Sequence, residues 1–318
     1  MHSFTATQTA ARPGGAEFLE EVLYGLSLPQ KALPSRFFYD EAGSGLFEQI
    51  TELPEYYPTR TEIALLKSSG GGLRESVPPG AAIVEFGSGS SRKTELLLEA
   101  LDRACAYVPI EISASALYPA AQRIQQKFPN IAVHPVLGGF HSLSTLKLPL
   151  HGCPCVGFFP GSTIGNLTPP QAISFLRSAR GFLGSGARFI IGADLQKPLD
   201  ILLPAYDDAQ GVTAAFNRNI LARINRELNG TFDPCAFEHH ALYNEAEGRV
   251  EMHLRASRPH RASVAGRSFE FQEGETIHTE NSYKYTLKGF RALARAGGWQ
   301  SANAWTDASN LFSMHMLA

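Results

Sequence analysis

The chain of 318 residues is 44% hydrophobic and 18% charged, with a formal net charge of −2, the balance of a soluble globular protein. So even a charge balance sets up no global field for nucleic acid or an anionic membrane, and neither is expected as a partner. No apolar run reaches the length of about 18 residues that a membrane span needs, and the N-terminus lacks an apolar signal-peptide segment; a cytoplasmic monomer is the expectation.

Residues 1–15 are small and polar and read as a mobile segment. AEFLEEVLYGLSL at 16–28 has apolar positions at helical spacing. The stretch 33–62 is dense in aromatics, with a turn expected at Gly43–Gly45 and prolines at 54 and 58. Phe37, Phe38, Tyr39, Phe47, Tyr56 and Tyr57 must pack on something or line something. A helix from RTEIALLKSS runs into a Gly/Pro break at 70–80. AAIVEF then reads as a buried parallel strand, GSGSS as a turn and RKTELLLEALDRA as a helix. AYVPIEI, IAVHPVL, VGFFP and ARFIIGADL supply four more strands, with SALYPAAQRIQQKF and QAISFLRSARGFL as helices. Strands alternating with helices predict a doubly wound α/β sheet.

Residues 196–255 interrupt the alternation. DDAQGVTAAFNRNILARINREL is a long helical stretch, and CAFEHHALYNEAEGRVEMHLRA reads as strand, turn and strand. SFEFQEGETIHTENSYKY adds β-like sequence, and the ending from Thr286 reads as helix, strand, turn, strand, closing a sheet with a hairpin. Cys105, Cys153, Cys155 and Cys235 have no ligand spacing and read as reduced structural thiols. His239, His240, His253 and His278 offer no convincing metal-ligand pair and read as structural or exposed. No metal is expected.

The chemistry concentrates at the strand ends. Glu85-Phe86-Gly87-Ser88-Gly89 lies between a strand and a helix, where glycines let the backbone approach a ligand closely. Glu111 ends the next strand, 24 residues after Gly87, placed for the two hydroxyls of a ribose. A dinucleotide fingerprint would put Gly or Ala at 92, where Arg92 stands, and no Gly-Lys-Ser/Thr P-loop follows. S-adenosylmethionine, which has a ribose and no phosphate, fits better than NAD. Glu85 is read either as holding the cationic part of that cofactor or as structural, and Phe140 as packing on its base or in the core. The fourth strand ends in a polar, glycine-punctuated tip, GSTIGN at 161–166.

YDEAGSGLFEQITELPEYYPTRTE, VEFGSGSSRKT, GFFPGSTIGN, YDDAQGVTAAFN and GETIHTENSYKY occur in this order. Together they resemble the L-histidine Nα-methyltransferases of ergothioneine biosynthesis, from about Leu33 to the C-terminus. The resemblance implies a Rossmann-like methyltransferase domain at 61–195 plus 286–318 and a smaller α+β substrate-binding domain at 1–60 plus 196–285. It implies S-adenosyl-L-methionine as cofactor and L-histidine as substrate, trimethylated to hercynine. Gly87 and Lys93 fall on cofactor positions, with Gly89 in the same turn; Glu111 falls on a ribose-binding acid that is usually Asp. Gly139 and Phe140 fall on a pair that is usually Asp-Phe, so the acceptor for the adenine amine is missing. Tyr56, Asn166, Tyr206, Glu280 and Ser282 fall on substrate-binding positions, Met252 on a wall of the side-chain pocket, and Tyr39 and Phe47 near the reacting amine. Tyr39, Phe47 and Asn166 are thus the expected catalytic residues. Two alternatives stay open at this point: methylation of another aromatic amino acid (tryptophan or tyrosine), and a catalytically silent ligand-binding protein on the same fold.

Overall fold

The computed structural model describes residues 15–318 apart from 102 and 151; the segment 1–14, expected to be mobile, lies outside the described residues. In chain order the elements are α1 (Gly15–Leu26), β1 (Lys31–Ala32), α2 (Glu41–Glu52), α3 (Tyr57–Ser68), α4 (Gly70–Ser76), β2 (Ala82–Phe86), α5 (Arg92–Leu101), β3 (Ala106–Glu111) and α6 (Ala114–Lys127). There follow β4 (Ala132–Val133), β5 (Val136–Leu137), β6 (Cys155–Phe159), α7 (Pro169–Leu183), β7 (Arg188–Asp194), α8 (Leu199–Leu202), α9 (Val212–Leu228), β8 (Phe237–Asn244) and β9 (Arg249–Ala256). The chain ends with β10 (His260–Val264), β11 (Arg267–Phe271), β12 (Thr276–Tyr283), α10 (Leu287–Ala296), β13 (Ser301–Thr306) and β14 (Phe312–Leu317). The described residues divide into two compact units, one of residues 58–196 and 285–318, the other of 15–57 and 197–284.

The first unit is built on an eight-stranded sheet in the order β13-β14-β7-β6-β2-β3-β4, with β5 also on β3. β2, β3, β4, β5, β6 and β7 pair in parallel, and the closing hairpin β13–β14 adds two antiparallel strands. The central strands are buried on both faces, and the alternation along each of them divides the core in two. Ile83, Tyr107, Val156, Phe158 and Ile190 pack with Leu65, Leu97 and Ile124 from the helices. Val84, Phe86, Val108, Phe159 and Phe189 pack with Phe175, Phe290 and Trp299. Helices on both faces make this a doubly wound α/β fold, with β2 between β3 and β6 at the point where the strand order reverses. The expected third strand IAVHPVL is two two-residue strands, because Pro135 falls between them and has no N–H for the ladder.

The second unit holds a four-stranded sheet in the order β1-β12-β9-β8 and the separate hairpin β10–β11. α9 lies against β8 and β9. A bulge sets Thr279 into β12: His278 pairs with His253, and Glu280 already with Met252. Two expectations fail here and in the first unit. The turn at Gly43–Gly45 is the interior of α2, whose start is capped by Asp40 accepting from the Gly43 N–H at 2.7 Å. The break at 70–80 contains α4 through three consecutive glycines, with Leu73 fully buried in the core. Among the described residues, no helix is long and apolar enough to cross a membrane.

Candidate active site

At the carboxyl edge of the parallel sheet, Gly87 takes φ +72° and Gly89 φ +47°, the left-handed region that favours glycine. The Gly87 N–H donates to the Ile110 carbonyl at 2.8 Å, which ties the turn to the end of β3. Glu111, buried at that end, accepts from the Gly89 N–H at 2.9 Å and from the Ser113 N–H at 3.0 Å, one on each carboxylate oxygen. A carboxylate has about four lone-pair sites, so acceptor capacity remains for two hydroxyls. A Cβ on Gly87 would lie 3.6 Å from the Phe140 ring, which therefore borders the turn. That ring also packs on Phe159 and Phe175, at 5.1 and 5.4 Å between centroids. Gly139 precedes it in extended conformation. Glu85 lies beneath the turn, buried and bonded to the Tyr107 hydroxyl. Burial raises its pKa to about 8, with the Tyr107 hydroxyl and the positive charge of Lys93 acting the other way.

The tip after β6 is a short 3₁₀ turn, Thr163–Asn166. Gly161 (φ +77°) and Ser162 (φ +56°) reverse the chain. The Ser162 hydroxyl accepts from the Asp194 N–H at 2.9 Å, and the Gly165 N–H donates to the Ser162 carbonyl at 2.8 Å. Asn166, partly exposed, is the last residue of this turn. Lys93 lies 2.6 Å from Glu62 rather than free in solvent.

The second unit gathers most of the other expected residues. Tyr39, Phe47 and Phe216 form an aromatic group with centroids 5.6–5.9 Å apart. Tyr56 continues it, 6.3 Å from Phe47 and 6.5 Å from Tyr206. On the sheet, Glu280 stands opposite Met252, and Ser282 follows two residues on, so all three share one face. The Tyr206 and Ser282 hydroxyls are 2.8 Å apart. Glu280 is largely buried, and burial raises its pKa to about 7, with the positive charge of Lys284 acting the other way. Gly87, Gly89, Lys93, Glu111, Gly139, Phe140 and Asn166 belong to the first unit.

Sequence reasoning missed Lys284. Its ammonium, on a residue only 3% exposed, donates to the Tyr206 hydroxyl at 2.6 Å and to the Ser282 hydroxyl at 2.9 Å. The signal was present: 280, 282 and 284 alternate at strand period in ENSYK. The support of Tyr206 was missed as well. His239 holds its backbone carbonyl through Nε2 at 2.7 Å, while Asn217 donates to Nδ1 at 2.8 Å. That pairing fixes the neutral Nε2–H tautomer, and burial lowers the His239 pKa.

A further grouping was hidden from sequence spacing because it spans two strands. Glu251, His253 and His278 offer ligand atoms within 4.8 Å of one another, where no metal-ligand arrangement was expected. Arg249 and Asn244 bond one Glu251 oxygen and His253 the other. Burial works against this carboxylate, yet the bonds from His253, Asn244 and Arg249 hold its pKa down to about 2. Of the cysteines, Cys105 and Cys153 lie 3.2 Å apart between sulfurs, too far for a disulfide, and burial pushes Cys105 up to about 11.

A profile described as histidine-specific methyltransferase, SAM-dependent, matches residues 18–318. The chain belongs to this family. The family member named histidine N-alpha-methyltransferase from Mycobacterium tuberculosis is 41% identical, covering 100% of both chains. The one of the same name from Mycolicibacterium smegmatis is 40% identical over 98% of each. Ergothioneine biosynthesis protein 1 of Neurospora crassa is 30% identical over 91% of this chain and 33% of its own length. For this SAM-dependent methyltransferase, the cofactor edge fits its group: a left-handed glycine turn, a ribose-compatible acid and an aromatic ring beside it.

Proposed function

We propose that the protein transfers methyl groups from S-adenosylmethionine to the α-amino group of L-histidine, three in succession, giving hercynine for ergothioneine biosynthesis. The observation that carries this reading is the face shared by Glu280, Met252 and Ser282, with Lys284 bonded to Ser282 and Tyr206. Glu280 accepts from one imidazole N–H and Ser282 serves the other nitrogen. With a pKa near 7, Glu280 can shed its proton when a ring N–H arrives. The Tyr56 and Tyr206 hydroxyls serve the substrate carboxylate without adding charge.

The cofactor supplies an electrophilic methyl group on a sulfonium. The chain's own contribution is alignment of a neutral amine with that methyl, worth about 7–11 kcal/mol in favourable cases. Asn166 offers both donor and acceptor, which suits an amine whose hydrogen bonding changes as methyls accumulate. Tyr39 orients the amine through water. Phe47 faces the growing ammonium as a cation–π partner, worth about 0.5–2 kcal/mol. Gly87, Gly89, Lys93, Glu111 and Phe140 hold the cofactor.

Mass spectrometry of histidine incubated with the protein and S-adenosylmethionine should show the trimethylated product. Absence of any methylated histidine from protein that binds the cofactor would end this reading. A tryptophan or tyrosine substrate is disfavoured, because neither offers two ring nitrogens to engage Glu280 and Ser282 together; competition among free amino acids checks this. A cytoplasmic monomer goes with the reading, and sedimentation measures the monomer.

A further inference from the structure

Glu62, on α3, is 0% exposed and has no part in the reading above. Its Oε2 lies 2.6 Å from the Lys93 ammonium and accepts the Gly161 N–H at 2.8 Å. Lys93 belongs to the first turn of α5, directly after the glycine turn, and Gly161 opens the tip that ends at Asn166. One oxygen thus joins three segments that sequence keeps 99 residues apart at the extremes.

A carboxylate this buried is costly unless it is paired and hydrogen-bonded. Apolar replacements of buried ion pairs are often neutral or stabilising, so stability alone does not account for Glu62. The fold also makes room for it. A Cβ on residue 192 would lie 2.1 Å from Glu62 Oε1, and Gly192 sits there in the middle of the parallel strand β7. Oε1 itself is buried with no hydrogen-bond partner. A central strand forgoes a side chain to seat this carboxylate. Gly161 is constrained on the same side: at φ +77°, its Cβ would lie 3.4 Å from the Lys93 ammonium.

We propose that Glu62 is a positioning residue for methyl transfer, fixing Lys93 at the cofactor turn and the Gly161 N–H at the base of the Asn166 tip. It rests on the reading in which Lys93 serves the cofactor and Asn166 the amine. An ammonium has three donors; Glu62 takes one and thereby aims the other two. The Gly161 bond holds the tip independently of charge.

Two substitutions separate these tasks. Glu62→Gln keeps an acceptor for Gly161 and removes the charge pair; Glu62→Met removes both. Calorimetric binding of S-adenosylhomocysteine, steady-state KM values and thermal midpoints are measured on each. Glu62→Gln should weaken S-adenosylhomocysteine about tenfold, the scale by which a charged hydrogen bond exceeds a neutral one, with the histidine KM within about twofold of wild type. Glu62→Met should weaken both ligands. Wild-type affinity for S-adenosylhomocysteine in Glu62→Gln would overturn the proposal. So would equal losses for both ligands in Glu62→Gln that track a lower thermal midpoint. If Glu62→Met does not fold, Glu62→Gln decides alone. The binding arm needs no histidine turnover, so its result stands whether or not histidine is the substrate.

Discussion

The two units build their candidate sites in different ways. The cofactor edge is mostly backbone: two left-handed glycines, and N–H groups that grip Glu111 from Gly89 and Ser113. The face proposed for the substrate is mostly side chains, with Glu280, Ser282 and Lys284 alternating along and just past β12 and the Tyr206 hydroxyl bonded to two of them. A backbone cradle depends on conformation and tolerates changes of side chain around it. A side-chain cluster depends on matched charge and loses much when one member goes. Substitutions on the two sides should therefore fail by different amounts and in different parameters.

The largest loss is expected at Glu280. Glu280→Ala should lower kcat/KM for histidine by about 10³-fold or more, the scale on which sites built around a substrate N–H discriminate. Amino acids without a ring N–H should lose far less, and equal losses would mean that Glu280 acts on the fold. pH separates the two roles further. The pKa of Glu280 rises from 4.5 to about 7 in the folded protein, so the folded chain keeps a proton that the unfolded chain releases in between. The stability this proton contributes is complete below 4.5 and is lost as pH rises through about 7. Glu280→Gln should therefore melt above wild type at pH ~8, with the gap closing in acid, while its activity relative to wild type falls over the same rise in pH. Calorimetry and rate profiles on the pair measure both.

Lys284 comes next. Lys284→Met removes two charged hydrogen bonds, to Tyr206 and Ser282, and should raise the histidine KM by about 10- to 100-fold. Its positive charge favours ionised Glu280, so the pH window of Glu280 should also move upward. A KM change without that movement would remove Lys284 from the electrostatics of the cluster. On the other side, Gly87→Ala should act on the cofactor alone. A Cβ there has room, 3.6 Å from Phe140, so the cost is the φ of +72°. At about 1–2 kcal/mol, it should weaken S-adenosylhomocysteine by roughly 5- to 30-fold and leave the histidine KM in place.

The same contrast explains what could be read in advance. The parallel sheet was legible because buried apolar runs, turns and helices alternate at their own periods, and the GSG turn advertises its backbone conformation in its composition. The helix α2 was not legible. Gly43 and Gly45 read locally as a turn, whereas the helix is stabilised by Asp40, which Asn219 and Arg226 hold from a distant part of the chain. The role of His239 was hidden for the same reason: its partners, Asn217 and the Tyr206 carbonyl, are 22 and 33 residues away. Lys284 was within reach, since it continues the alternation of Glu280 and Ser282. Glu62 was not, because nothing in TRTEI foretells a glycine vacated at 192.

The smallest effect tests how far a backbone cradle suffices. In the family pattern an acid commonly stands where this chain has Gly139, and with it goes an acceptor for the adenine amine. Gly139 lies at φ −100° and ψ 143°, extended backbone that any residue adopts without strain. Gly139→Asp should therefore fold normally and, by restoring one hydrogen bond worth about 0.5–1.5 kcal/mol, bind S-adenosylhomocysteine roughly 2- to 10-fold more tightly. The histidine KM should not move, because no member of the Glu280 cluster is touched. Unchanged cofactor affinity would mean that backbone atoms and the Phe140 ring already meet what the adenine requires. The contrast between the two regions would then be sharper than the family pattern suggests, with one ligand held without any adenine-specific side-chain acceptor and the other held by little else.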